Sequence, residues 1–179
     1  ALNVLMNQQF RNLISAPMHV PCNPNDCGLA LGFMLLRNPP EKQISVQYNG
    51  FGILDKNRLI EYIAKYGAKE ATVKDLARLI TKGNIIGVMR GNSEVGARAL
   101  GNRSILCDPS KKNMKDKLNK IKQREFFRPF APVCKQEDVN NYFEFDGEST
   151  FMSYAPLVKE KYIKKIPAIV HNDNTARVQ

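Results

Sequence analysis

The sequence predicts an α/β fold built on an open, twisted, mixed sheet. Short β-branched runs alternate with segments of helical periodicity from about residue 56 onward, and turn formers punctuate them. At 43% hydrophobic and 25% charged over 179 residues, the composition supports a buried core and excludes a disordered tail. No apolar run reaches the roughly 18 residues needed to span a bilayer, so no membrane association is expected.

The elements follow in order. Val4 to Ile14 reads as a helix whose stripe is Leu5, Gln9, Phe10 and Leu13, and Met18-His19-Val20 as a short strand. The run from Pro21 to Gly28 is a turn-rich loop leading into an apolar helix from Leu29 to Leu36. Asn38-Pro39-Pro40 ends that helix. Residues 39–55 read as a linker, with strand-like alternation at Ile44, Val46 and Tyr48. Leu59, Ile60, Ile63 and Tyr66 mark a helix face, and Thr72 to Asp75 resembles a capping box opening a helix through Leu76 and Ile80. Ile85 to Met89 and Ser104 to Cys107 are strands by composition, and Met114, Leu118 and Ile121 form the buried side of a lysine-rich helix. Residues 131–134 and 151–154 are further strand candidates.

Cys22, Cys27, Cys107 and Cys134 form no C-x-x-C pair, and only His19 and His171 could join them at a metal. A closed zinc site is therefore not expected, and the cysteines read as reduced thiols acting as small buried hydrophobes. The first ten residues lack the basic start and apolar stretch of a signal peptide, so a cytoplasmic location is expected.

Charge is concentrated. Eleven basic residues face three acidic ones between Arg98 and Lys135, which accounts for eight of the ten net positive charges. Such a field attracts phosphates, in nucleotides or in nucleic acid. For Lys111 to Lys120 a solvated helix face is the simpler reading. Arg98, Arg103, Arg124 and Arg128 instead sit among Gly, Asn, Phe and Pro, where fork-like bonding to phosphate or carboxylate oxygens is the better explanation.

Three segments carry chemistry. The loop from Gly91 to Ser104 follows a strand and contains three glycines, Arg98, Asn102 and Arg103. Ala97 and Arg98 replace the Lys and Ser/Thr of a P-loop, so it is not that motif. Residues 121–132 set Lys122, Arg124 and Arg128 among three phenylalanines that are expected in the core rather than as base-stacking platforms. Residues 171–177 place His171, Asp173 and Arg177 after Ile169-Val170, at an expected strand end.

The strings G-x-x-x-x-G-A-R-A-L-G-N-R-S-I-L, K-L-N-K-I-K-Q-R-E-F-F-R-P-F-A-P and I-P-A-I-V-H-N-D-N-T-A-R-V-Q resemble the carbamoyltransferases of the nodulation-protein and tobramycin-carbamoyltransferase type. The resemblance implies an actin-like ATPase-fold transferase domain followed by a YrdC-like domain. The YrdC-like domain would form carbamoyladenylate from carbamoyl phosphate and ATP, with magnesium, and the first domain would pass the carbamoyl group to a hydroxyl acceptor. Residues 1–38 would be the end of the first domain, packed as an appendage, and residues 56–179 a YrdC-like domain truncated at its C-terminus. Asp26 in the acidic turn 24–28 would ligate a divalent metal together with histidines of the missing N-terminal domain.

By motif position the resemblance maps the family's phosphate- and carbamoyl-binding cations to Arg98, Lys122, Arg128 and Arg177. The residues themselves add Asn102, Arg103 and Arg124 as groups for carbamoyl phosphate and ATP, and His171 and Asp173 as catalytic candidates beside Lys122 and Arg128. Ala97 departs from the proline usual in the family. The chain alone is expected to bind nucleotide weakly and to carbamoylate nothing. The competing expectation is a basic RNA-binding module of YrdC-like fold.

Overall fold

The computed structural model describes residues 2–52 and 55–179. They fold as two compact units, one made of residues 2–44, 96–98 and 109–179, the other of residues 45–52, 55–95 and 99–108. The architecture is mixed α/β, with a two-stranded antiparallel sheet.

In the first unit, α1 (Val4–Leu13) starts where the Asn3 side chain accepts the Met6 N–H at 3.1 Å. It packs by its polar face, not by the expected apolar stripe. Leu5, Phe10 and Leu13 are exposed, whereas Asn7 is buried and donates to the Ser153 carbonyl at 2.9 Å. Arg11 lies over the rings of Phe145 and Tyr154, 4.7 and 5.5 Å from their centroids, and bonds Asp146. A helix whose contacts are a buried amide and a guanidinium on aromatic faces has no need of its apolar side.

Met18-His19-Val20 runs extended without a ladder, yet Val20 enters the core with Val139, Phe143, Phe145, Tyr154, Val158, Ile169, Ala176 and Val178. The Tyr154 hydroxyl donates to the Met18 carbonyl. The segment expected as an appendage is thus part of this unit's core. A 3-10 turn, Asp26–Gly28, leads to α2 (Leu29–Arg37), whose Leu29, Phe33, Met34 and Leu36 are exposed. Next come α5 (Met114–Ile121), α6 (Val139–Tyr142) and α7 (Glu160–Ile163), numbered in chain order with the two helices of the second unit between α2 and α5. Met114 and Leu118 bury the inner side of α5 as expected, but Ile121 is exposed.

The strand candidates at 131–134 and 151–154 form no ladder, and Phe151-Met152 is a turn, with Met152 at φ 54° and its N–H donating to the Ser149 carbonyl. Pro129, Pro132 and Pro156 remove the N–H donors a ladder would use. What remains is isolated pairing. Cys134 N–H donates to the Gln179 carbonyl and Gln179 N–H to the Pro132 carbonyl, and single bridges join Phe143 to Val158 and Leu157 to Thr175.

In the second unit, α3 (Lys56–Tyr66) is capped by Asp55 and ends at Gly67 in the left-handed region, φ 62°. The capping box of α4 (Val73–Thr81) forms as read, with Thr72 and Asp75 exchanging bonds. β1 (Ile86–Met89) and β2 (Arg103–Leu106) pair from Ile86 opposite Leu106 to Met89 opposite Arg103. Residues 45–52, inside the expected linker, pair with the glycine loop. Val95 N–H donates to the Gln47 carbonyl, Ser93 N–H to that of Phe51, and Gly50 N–H to that of Ser93.

None of the four free cysteines is fully buried, and Cys27 is exposed. The expectation of small buried hydrophobes holds in part for Cys134, which packs half-buried against the core, and is corrected for the exposed Cys27. Burial still pushes the Cys107 and Cys134 thiols above their ordinary value, with nearby carboxylates adding to it. Among the described residues no helix is long and apolar enough to cross a membrane.

Candidate functional site

The site of the first unit begins at α5. Asn119, 1% exposed, is its buried polar residue. Its amide nitrogen donates to the Phe126 and Arg128 carbonyls, each at 3.0 Å, and its oxygen accepts the Arg124 Nε–H at 2.7 Å. A single side chain therefore fixes the path of the loop that follows the helix. Gln123, at φ 49°, makes the sharp exit that lets the chain double back.

That path overturns the expectation for the phenylalanines. Phe126 and Phe127 are 75% and 65% exposed and meet edge to face at 5.9 Å. Phe130 is half-buried beneath the Arg124 guanidinium, 4.2 Å from its ring centroid. Arg128 pairs with Glu125 at 2.7 Å on the open side of the loop, and Lys122 is exposed at the C-cap of α5.

The second component is the turn at 171–175. His171 N–H donates to the Thr175 carbonyl and Asn174 N–H to that of His171, with Asn174 at φ 62°. Inside the turn, Thr175 Oγ1 donates to Asp173 Oδ1 at 2.7 Å and lies 2.8 Å from His171 Nδ1. The Thr175 hydroxyl and N–H hold the Asp173 carboxyl below its ordinary value against a smaller opposing effect of burial. Burial lowers the His171 pKa; Asp173 works against this, while Arg177 and Lys115 reinforce it. His171 Nε2 is buried and finds no partner among the described residues.

Arg177 and Arg98 complete the unit's basic groups. Both are half-buried. Arg98 donates through Nη1 to the Phe151 and Met152 carbonyls at 2.9 and 2.7 Å, and through Nη2 to that of Leu2 at 3.1 Å. Burial lowers the pKa of Arg98, and Arg177 adds to the effect. Burial and then Arg124 do the same to Arg177; burial and then Arg128 do so to Arg124, with Glu125 opposing. The half-buried guanidiniums thus feel their neighbours, and Arg177 Nε is buried without a partner among the described residues. An anion placed beside Arg98, Arg124 and Arg177 would offset the burial and repulsion that lower their pKa values.

The turn also borders an open pocket of about 380 Å³ lined by Val4, Leu5, Pro129, His171, Asn172 and Asp173. No guanidinium lines it, so it does not serve the charged cluster.

Asn102 and Arg103 lie in the second unit and are committed to the loop's own architecture. Arg103 donates to the carbonyls of Arg90, Asn102, Phe51 and Gly91. Asn102 donates to the Asn92 carbonyl and accepts from Arg90 Nε. Glu94 Oε1 receives the N–H groups of Leu100, Asn102 and Arg103 at 2.6, 2.8 and 3.3 Å. Burial pushes the Glu94 carboxyl up, but these donors outweigh it and hold it below its ordinary value.

Asp26 is exposed at the start of its 3-10 turn, and the described residues contain no group of three His, Cys, Asp or Glu that could hold a metal. The residues present do not by themselves make a metal site.

Asn119, Thr175 and Glu94 were not singled out in the sequence. Each works through tertiary or turn-level hydrogen bonds whose only sequence trace is a polar residue inside an otherwise apolar or glycine-rich motif.

The first unit thus gathers three half-buried arginines, Arg98, Arg124 and Arg177, in a mixed α/β protein that also carries the His171 turn. The chain belongs to the family described as Carbamoyltransferase C-terminus, which matches residues 77–179. It is 40% identical to nodulation protein U of Azorhizobium caulinodans over 99% of its length and 32% of that protein's. It is 34% identical to nodulation protein NolNO of Sinorhizobium fredii over 98% of its own length and 28% of that protein's. Against 3'-hydroxymethylcephem-O-carbamoyltransferase of Amycolatopsis lactamdurans identity is 35%, over 89% of this chain and 30% of that one. The chain spans about a third of the length of these relatives.

Proposed function

We propose that this chain supplies the carbamoyl phosphate- and ATP-handling part of an O-carbamoyltransferase, with a YrdC-like fold in residues 56–179. The observation that carries the reading is the run of half-buried guanidiniums Arg98, Arg124 and Arg177, whose pKa values fall through burial and through neighbouring arginines, with Arg128 beside Arg124. Two polyanions brought together need several cations, and the same cations stabilise charge on departing phosphate groups.

Carbamoyl phosphate and water yield carbamate, phosphate and a proton. A carbamate oxygen then bonds to the α-phosphorus of ATP as pyrophosphate leaves, giving carbamoyladenylate. Arg124 and Arg128, on the loop held by Asn119, take phosphate oxygens together with Lys122, while His171 and Asp173 position the carbamoyl group. Transfer to a hydroxyl acceptor, and a divalent metal held with Asp26, belong to the longer protein that the relatives represent. Magnesium would arrive with ATP.

Calorimetry with carbamoyl phosphate, ATP and duplex RNA at two salt concentrations tests this. Saturable binding of carbamoyl phosphate that is lost in Arg128→Ala, without pyrophosphate release by the chain alone, is the expected result. The exposed lysines 111, 112, 117 and 120 of the α5 region favour the second reading, an RNA-binding surface. Steeply salt-dependent RNA binding, with neither small phosphate bound, would replace the first reading by the second.

A further inference from the structure

The hydrogen bonds of the 171–175 turn determine a proton position that no sequence motif expresses. The Thr175 hydroxyl has one hydrogen, and it goes to Asp173 Oδ1 at 2.7 Å. Asp173, held below its ordinary value by that bond, stays ionised and can only accept. At its contact with His171 Nδ1, 2.8 Å away, the hydroxyl oxygen is therefore the acceptor and Nδ1 carries the hydrogen. In a neutral imidazole this leaves the lone pair on Nε2. Nε2 is also the ring atom that is buried without a partner among the described residues.

We infer that Thr175 is a positioning residue that locks His171 in its Nδ1–H tautomer, so that Nε2 presents a hydrogen-bond acceptor reserved for an N–H donor of the substrate. Arg177 Nε–H, likewise buried and unpartnered, offers the opposite polarity. An acceptor and a donor match the amino group and the oxygen of a carbamoyl group. The assignment of this ligand rests on the function proposed above; the tautomer does not. A structural turn would need Thr175 and Asp173 but would be indifferent to which imidazole nitrogen is protonated.

The chain has two histidines, so long-range proton–nitrogen correlation spectra of ¹⁵N-histidine-labelled protein resolve each ring. At pH 8 His171 should show a protonated Nδ1 and an unprotonated Nε2. Thr175→Val should shift it toward the Nε2–H form common in free imidazoles, and Thr175→Ser should keep the wild-type pattern. The wild-type spectrum alone decides the point: an Nε2–H tautomer overturns the inference whatever the variants do.

Carbamoyl phosphate and acetyl phosphate, which has a methyl group in place of the amino group, are then titrated in parallel. The expected result is a perturbed His171 Nε2 resonance and roughly five- to tenfold tighter binding of carbamoyl phosphate, the worth of one hydrogen bond. That preference should vanish in Thr175→Val and persist in Thr175→Ser. Equal binding of both compounds overturns the carbamoyl assignment while leaving the phosphate reading intact. Binding of neither overturns both ligand statements, and the spectrum still judges the tautomer.

Discussion

Asn119 and Arg124 share the bond that shapes the basic loop: the arginine's Nε–H is received by the buried amide oxygen at 2.7 Å. The same amide holds two carbonyls of the loop, so the arginine is aimed by a residue five positions earlier on α5. Asn119→Ala would strand all of these groups. Its expected cost is about 2–3 kcal/mol of stability, because buried partners lose their hydrogen bonds. Denaturant unfolding should show this, and calorimetry should show weakened carbamoyl phosphate binding. An unchanged unfolding midpoint would mean that water replaces the amide without cost.

Arg103 and Arg128 should behave oppositely. Arg103→Lys removes a fork that serves four carbonyls, and lysine cannot reproduce it, so about 1–3 kcal/mol of stability should be lost. Arg128→Ala breaks an exposed pair with Glu125 and should cost under about 1 kcal/mol. The same change should weaken carbamoyl phosphate binding by about tenfold or more, as expected for loss of a charge-assisted bond. Parallel thermal melts and titrations of the two variants check the contrast.

Acid should weaken the fold in two stages. His171 titrates below the ordinary histidine value of 6.5, so the unfolded chain takes its proton first. The stability due to the neutral imidazole is full above 6.5 and is lost as pH falls through the folded value. Glu94 and Asp173, both below their ordinary 4.5 and 3.8, add a second loss under those values. Urea midpoints measured from pH 8 down to 3 should follow this course. The upper stage should disappear in His171→Gln; its persistence there would assign it to another group.

Gly96 stands at φ 133°, and a Cβ there would lie 2.5 Å from the Cys22 carbonyl oxygen. Both the backbone angle and a backbone neighbour oppose any side chain. Gly96→Ala should cost more than about 1 kcal/mol, measured by chemical unfolding, whereas Gly32→Ala on α2 meets nothing and should be neutral or stabilising.

What was legible in the sequence is what local physics decides. The Thr72–Asp75 box, the two strands at Ile86 and Arg103 and helices α1 to α5 follow from caps, turn residues and periodicity, whereas the one-turn helices α6 and α7 are too short to show a period. The outward Phe126 and Phe127 were illegible because Asn119 directs their backbone through tertiary bonds. The packing side of α1 was misread because Asn7 and Arg11 outcompete Leu5 and Phe10 for the interior. In the glycine loop, the residue types were right for anion capture, but Glu94 and the surrounding carbonyls already occupy Asn102 and Arg103. No local pattern reports such prior claims.

The first unit's core joins Val20 near one end of the sequence to Ala176 and Val178 near the other. Burying Val20 therefore requires closing a long loop to residues far later in the sequence, whereas the second unit makes its contacts over shorter separations and can close sooner. Pulsed amide labelling during refolding should find Gly87 and Ile105 protected before Val20, so the exposed apolar surface that persists longest in folding is the Val20 side of the first unit's core.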